Sequence, residues 1–204
     1  AGYSLTGDTS EQGLFLVYGK TGTGKSTFTR AMRPILGDYF RAADTSILLQ
    51  RGNGFVGSHS DEIAVLEGAR FVACEEIDEG QKIAAAILKR MTGNVTISCR
   101  AIMQSTTSFE PTHKIWLIVN DRPSYDATDD AVTRRIFMMP FDNQVPIEKR
   151  DQKLSEKPDD TKVREAILAW CVRGCLEWQE KGLGSSYTAQ QYKEDYLKEI
   201  DYIG

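Results

Sequence analysis

Residues Gly19 to Thr27 read GKTGTGKST, and their types and spacing suit one task, the cradling of a phosphate chain. A glycine, four free positions and then Gly-Lys-Ser make the phosphate-binding loop pattern. Phosphate needs backbone N–H groups converging on it, and side chains would block that approach. Gly19, Gly22 and Gly24 keep the loop bare, while Thr21 and Thr23 occupy free positions within the nucleotide-binding stretch. Lys25 brings a cation to the outer phosphates, and the Ser26 hydroxyl is a ligand for Mg²⁺. The ligands implied are ATP and Mg²⁺.

A phosphate loop also needs carboxylates on a neighbouring strand. Phe71-Val72-Ala73-Cys74 ends in Glu75-Glu76, a buried strand delivering acids at its carboxyl edge. Glu75 is assigned to the metal and Glu76 to the attacking water, and spacing alone permits the reverse. Asn120 ends the run Ile115–Val119. It reads either as an amide that orients water or as a strand-ending turn residue, since Asn-Asp-Arg-Pro is turn chemistry. Arg134 and Arg135 precede the run Ile136–Met139. They read either as surface cations or as a source of an arginine finger for a neighbouring subunit.

These groups must be positioned by strands and helices, and the pattern supplies both. Leu14–Tyr18 is an apolar run of strand length before the loop, and Phe28, Met32 and Ile35 recur at helical spacing after it. Strand, glycine loop and helix place the helix dipole on the anion. Further strand-like runs are Ser46–Leu49, Phe71–Cys74, Ile115–Val119 and Ile136–Met139, with a helix marked by Ile83, Ile87, Leu88 and Met91 between them. Strands alternating with helices predict an α/β fold with a parallel sheet. The core is expected over residues 1–141, a charged linker with two prolines over 142–160 and a helical segment over 161–204. In that last segment Val163, Ile167, Trp170, Cys171 and Trp178 form one stripe, and Tyr192, Tyr196, Ile200 and Ile203 a second, both read as core. Asp78 and Glu79 are expected to be solvated.

The chain has 204 residues, enough for one such domain and a helical appendage. Its net charge of −4 argues against a broadly basic nucleic-acid surface, so any such contact must come from a few local cations. The four cysteines are scattered in apolar contexts; Cys171 and Cys175, four apart in a helical stretch, read as a core pair and not a zinc half-site because no matching Cys/His pair exists elsewhere, and the whole reads as a reduced, intracellular (cytoplasmic) setting. No run approaches the length needed to span a bilayer, so no membrane partner is expected. The polar start without Met reads as a piece cut from a longer chain.

The order of these motifs resembles the superfamily-three helicases, and more narrowly the C-terminal helicase part of phage, plasmid and poxvirus primase–helicases. The matching text is GKTGTGKST, LEGARFVACEEIDEG, LKRMTG, FEPTHKIWLIVNDRP and AVTRRIFMMPF, with REAILAWCVRGCLEWQEKGL beyond. The resemblance implies a P-loop ATPase of AAA+ type, with a five-stranded parallel sheet flanked by helices and a C-terminal helical tail. It implies a homohexameric ring that binds ATP between subunits and moves on single-stranded DNA, fused to or working with a primase. Gly24, Lys25, Ser26 and Thr27 fall on its phosphate and metal positions, Glu75 and Glu76 on its acidic pair, Asn120 on its sensor and Arg135 on its finger. Lys89 to Lys114 would carry a DNA-gripping hairpin, with Arg100 as its cation, His113 and Lys114 beside it, and Met103, Gln104 and Ser105 near its tip. Thr23 stands where the family often has Asn, and Asn94-Val95 where it often has a glycine and an acid. An ATP switch without unwinding, or a small-molecule P-loop kinase, are the competing expectations, and DNA-stimulated hydrolysis discriminates the first from helicase action.

Overall fold

The computed structural model describes residues 1–49, 60–77, 81–100, 106–154, 156–184 and 187–201. Its centre is a five-stranded sheet. The strands are β1 (Leu14–Tyr18), β2 (Phe40–Ala43), β3 (Phe71–Glu75), β6 (Lys114–Val119) and β7 (Ile136–Pro140), in the order β2-β3-β6-β1-β7, every pair parallel. A separate antiparallel hairpin joins β4 (Ile97–Arg100) to β5 (Thr106–Phe109). Helices α1 (Lys25–Leu36), α2 (Ser60–Ala64), α3 (Ala85–Thr92), α4 (Asp130–Thr133), α5 (Thr161–Lys181) and α6 (Tyr187–Asp201) complete the fold.

The inner strands are apolar throughout because both sheet faces are covered. β1 and β6 are buried at every position, which forms two cores. One face packs Leu14, Leu16, Val72 and Leu117 under α3, α4 and α6, and the other packs Phe15, Val17, Trp116 and Ile118 under α1 and α5. On that second face one ring from each strand stacks in sheet order: Phe40, Phe71, Trp116, Phe15 and Phe137. Successive centroids are 5.4, 4.8, 4.5 and 5.6 Å apart, within the favourable range for offset aromatic pairs.

The run Ser46–Leu49 is not a sheet strand. Thr45–Ile47 is a single 3₁₀ turn capped by Asp44, and Leu49 makes only an isolated bridge to Ile83. The edge strand is instead Phe40–Ala43, which is only half-buried and carries Arg41. Ile47 and Leu48 are buried in the core cluster that holds Val72, Ile87 and Leu88, and Leu49 is buried at its bridge to Ile83, so their hydrophobicity reports burial rather than extended pairing.

The C-terminal helices pack on the core. α5 lies on the first turn of the chain, Gly2–Leu5, and α6 lies along β7. Cys171 is buried and Trp178 tilts against Tyr3 with ring centroids 4.6 Å apart, but Trp170 is half exposed and departs from the expected core stripe. In α6, Tyr196 is buried as expected, whereas Ile203 lies outside the described residues. Gly2 allows the closest approach, since a Cβ there would collide with backbone atoms of Cys171, Gly174 and Cys175. Backbone cannot give way as a flexible side chain can. Gly2→Ala is therefore expected to destabilise the protein by about 3 kcal/mol, the upper end for overpacking, seen as a lower urea midpoint with little change in m.

Candidate active site

Parallel register brings the site together. Glu75 of β3 lies opposite Ile118 of β6, which lies opposite Val17 of β1. The next residues along each strand, Glu76, Asn120 and the glycine loop, therefore emerge at one sheet edge. A cavity of about 530 Å³ opens there, lined by Thr21, Gly22, Thr23, Gly24, Lys25, Ser26 and Thr27 on one side and by Glu75, Glu76, Asn120 and Asp121 on the other. Every loop residue expected to contact nucleotide except Gly19 lines this cavity, as do both acids and the Asn. Gly19 stands at its root, where a Cβ would strike the Phe141 carbonyl, and its φ of 148° lies in the region that favours glycine.

Lys25 is buried, with 7% exposure, and its ammonium is held by neutral oxygens. It donates to the carbonyl of Gly19, to the carbonyl of Lys20 at 3.1 Å and to Asn120 Oδ1 at 3.1 Å. Burial lowers its pKa, and the Asp121 carboxylate opposes that shift. A cation partnered by dipoles is poised for an anion. Glu75 is exposed in the cavity and accepts from Thr29 Oγ1 at 3.0 Å. Ser26 is exposed on the first turn of α1. Two hard oxygen donors of this kind suit Mg²⁺. Glu76 has a φ of 69°, a left-handed backbone that non-glycine residues rarely adopt, and its N–H donates to the Ile118 carbonyl at 3.1 Å. Such conformations persist where surrounding structure enforces them. Thr29 and Asp121 escaped sequence reasoning. Thr29 stands one turn beyond Ser26 on α1, and Asp121 directly follows Asn120, so proximity in sequence was their available signal.

Arg134 and Arg135 lie at the opposite sheet edge, where the Arg135 carbonyl accepts from the Leu14 N–H at the start of β1. Arg135 is buried; it donates to the Ala131 carbonyl and to Gln12 Oε1, both at 2.7 Å, and its Nε has no partner among the described residues. Arg134 is exposed and reaches the same Gln12 oxygen at 3.4 Å. Neither lines its own chain's cavity.

The expected hairpin exists as β4 and β5, with Arg100 paired to Thr106 at its far end. Met103, Gln104 and Ser105 lie outside the described residues, as do Asp78 and Glu79. Arg90, exposed at the hairpin base, donates to the Ser98 carbonyl at 2.9 Å, a cation that sequence reasoning passed over. His113 and Lys114 are corrected: both are 2% exposed and neither is a surface cation. Lys114 donates to the carbonyls of Thr6 and Thr112 and sits 4.6 Å from the Tyr3 ring centre, and burial pulls its pKa down to about 8. It fastens the first turn of the chain to the sheet. His113 donates from Nε2 to the Met91 carbonyl at 3.0 Å, which leaves Nδ1 buried without a partner among the described residues.

The chain matches the family described as "Family of unknown function (DUF5906)" over residues 17–135, a span that runs from within β1 to Arg135 and holds the whole cavity. The chain belongs to this family. It is 25% identical over 97% of its length to "Putative helicase L207/L206" of Acanthamoeba polyphaga mimivirus, and 25% identical over 65% of its length to "Primase D5" of Fowlpox virus. It spans only 22% and 17% of the lengths of these two relatives. It is thus a homologue of viral proteins named as a helicase and a primase. Among solved structures, the apo C-terminal region of NrS-1 shares the fold with a TM-score of 0.62 at 12% identity, covering 93% of this chain and 43% of that one. No helix among the described residues is long and apolar enough to cross a membrane.

Two outcomes test this geometry. Burial lowers the His113 pKa from 6.5 to about 4, so the unfolded chain binds the extra proton first as pH falls. His113 then costs stability between pH 6.5 and 4, on the order of 2 kcal/mol at pH 5. Urea unfolding of His113→Asn should show a shallower loss between pH 7 and 5 than the parent. At position 76 the usual order inverts: Glu76→Gly should be more stable than Glu76→Ala by about 1 kcal/mol, because only glycine adopts that φ without strain.

Proposed function

We propose that this chain is the ATP-hydrolysing motor of a replicative DNA helicase, a P-loop ATPase of AAA+ type and of the superfamily-three variety. The observation that carries the reading is one cavity gathering a cradle of glycines, a buried ammonium, hydroxyls, three carboxylates and an amide. Helicase and primase names among the viral relatives support the replicative setting. ATP would lay its phosphates along Gly22, Gly24 and Lys25, whose ammonium exchanges neutral carbonyls for phosphate oxygens. Ser26 and Glu75 would hold Mg²⁺, which supplies charge neutralisation at the outer phosphates when bound.

Glu76 then takes a proton from a water as its oxygen adds to the γ-phosphorus. The bond to the bridging oxygen breaks, and ADP leaves with that electron pair. Asn120, already bonded to Lys25, holds the ammonium in line and orients the water. Arg134 and Arg135, at the far sheet edge, suit a shared site in which a neighbouring copy supplies the finger, as in a homohexameric ring. The resemblance favours Arg135, and it must leave Gln12 to reach out, whereas Arg134 is already exposed. The β4–β5 hairpin, with Arg100 at its end and Arg90 at its base, is the element proposed to grip single-stranded DNA through phosphates. A primase would be fused to this motor or work beside it.

The test is ATP turnover with and without single-stranded DNA, beside strand unwinding. The parent should be stimulated by DNA. Lys25→Ala should lose turnover, and Glu76→Gln should bind ATP yet hydrolyse it on the order of 10²-fold more slowly. Arg135→Ala should be inactive alone and regain some turnover when co-assembled with Lys25→Ala, since one mixed interface keeps both groups. Near-normal turnover by Lys25→Ala would sink the site assignment. Hydrolysis indifferent to DNA, without unwinding, would leave an ATP switch.

A further inference from the structure

Residues 142–150, which read as linker, are tied to the phosphate loop. Gln144 Nε2 donates to the Thr21 carbonyl at 2.9 Å, and the Val145 N–H donates to the Gly22 carbonyl at 3.2 Å. Arg150 Nε donates to the Val145 carbonyl at 2.9 Å, and its guanidinium lies against Gly22, where a Cβ would strike it. At the near end, the Phe141 N–H donates to the Tyr18 carbonyl at 2.8 Å. The segment thus runs beside the loop from its root to its crown.

The consequence follows from peptide geometry. Across a trans peptide the carbonyl of one residue and the N–H of the next point in opposite directions. A Thr21 carbonyl held outward by Gln144 turns the Gly22 N–H away from the strap, and a Gly22 carbonyl held by Val145 does the same for the Thr23 N–H. Gly22 and Thr23 both line the cavity on the other side of the loop. A glycine-rich loop has wide conformational freedom, so fixing its peptide planes before binding removes an ordering cost.

We infer that the segment from Asp142 to Arg150 is a strap that presets the anion cradle, with Gln144 and Arg150 as positioning residues for nucleotide binding. This rests on the nucleotide-site reading above. Neither residue lines the cavity. Gln144 aligns the first peptide plane through its amide, and Arg150 braces the second by holding Val145 and closing over Gly22. Further along, Pro158 is buried in a 3₁₀ turn that packs against α1 and α5.

The test uses the full chain and a fluorescent ATP analogue, with thermal unfolding of the nucleotide-free protein in parallel. Gln144→Met keeps length and loses the donor, and Arg150→Met loses both the brace and its bond to Val145. Gln144→Met should weaken analogue affinity about five- to tenfold, the range for one neutral hydrogen bond, and Arg150→Met about tenfold or more because its lost donor is charged, each with unfolding temperature unchanged. Turnover at saturating ATP should stay within about twofold, because the lost order is restored once ATP is bound. The double variant should cost less than the product of the two, as the residues act on one loop. Parental affinity in both single variants, with Lys25→Ala binding weakly, overturns the strap and spares the site. Parental affinity in all three overturns the site and the strap together. Affinity loss matched by a lower unfolding temperature assigns the segment a merely structural part and also overturns the inference.

Discussion

The parallel register of β3, β6 and β1 is the constraint on which the rest depends. Because Glu75, Ile118 and Val17 share one level, the acids, the amide and the glycine loop leave the sheet side by side. A shift of one residue in any strand would turn its core face to the wrong side, since side chains alternate with a period of two. The deeply buried strands enforce the register through their packing, and the chemistry at the edge inherits that precision. Lys25 depends on it directly, as its ammonium bridges the loop of β1 and the residue after β6.

Much of this was legible in the sequence because the signals were local. The loop pattern, the run ending in Glu75-Glu76 and the run ending in Asn120 each predict a strand with a polar residue at its carboxyl end, and the fold sets them around one cavity. What escaped was non-local. Phe40–Ala43 is a half-exposed edge strand with Arg41 in it, so its composition carries little signal, while Ser46–Leu49 is apolar because it is covered. His113 and Lys114 look like surface cations in a polar stretch. Their partners are the carbonyls of Met91 and Thr6, which only the folded chain brings near. Gln144 and Arg150 read as solvated linker for the same reason, their partners lying far back in the chain at Thr21 and Gly22.

The two ends of the chain meet across the same sheet. The first turn is wedged between Lys114 and α5, with Tyr3 touching the Lys114 ammonium on one side and Trp178 on the other. At the carboxyl edge, Tyr196 of α6 donates to the Pro123 carbonyl just beyond Asn120, and Arg122 lies between the Tyr18 and Tyr196 rings. α6 therefore borders the segment that follows Asn120 and Asp121, and α5 packs on α1, the helix that follows the glycine loop.

The row of stacked rings across the sheet has a mechanical meaning. Hydrogen bonds tie parallel strands only through the backbone. Phe40, Phe71, Trp116, Phe15 and Phe137 add a transverse brace, one ring per strand from edge to edge. A load placed on either edge strand is borne by the whole row, because close-packed interiors transmit strain instead of yielding to it. Strain placed at one rim of the sheet is thus shared across its width through side chains as well as through the backbone ladder.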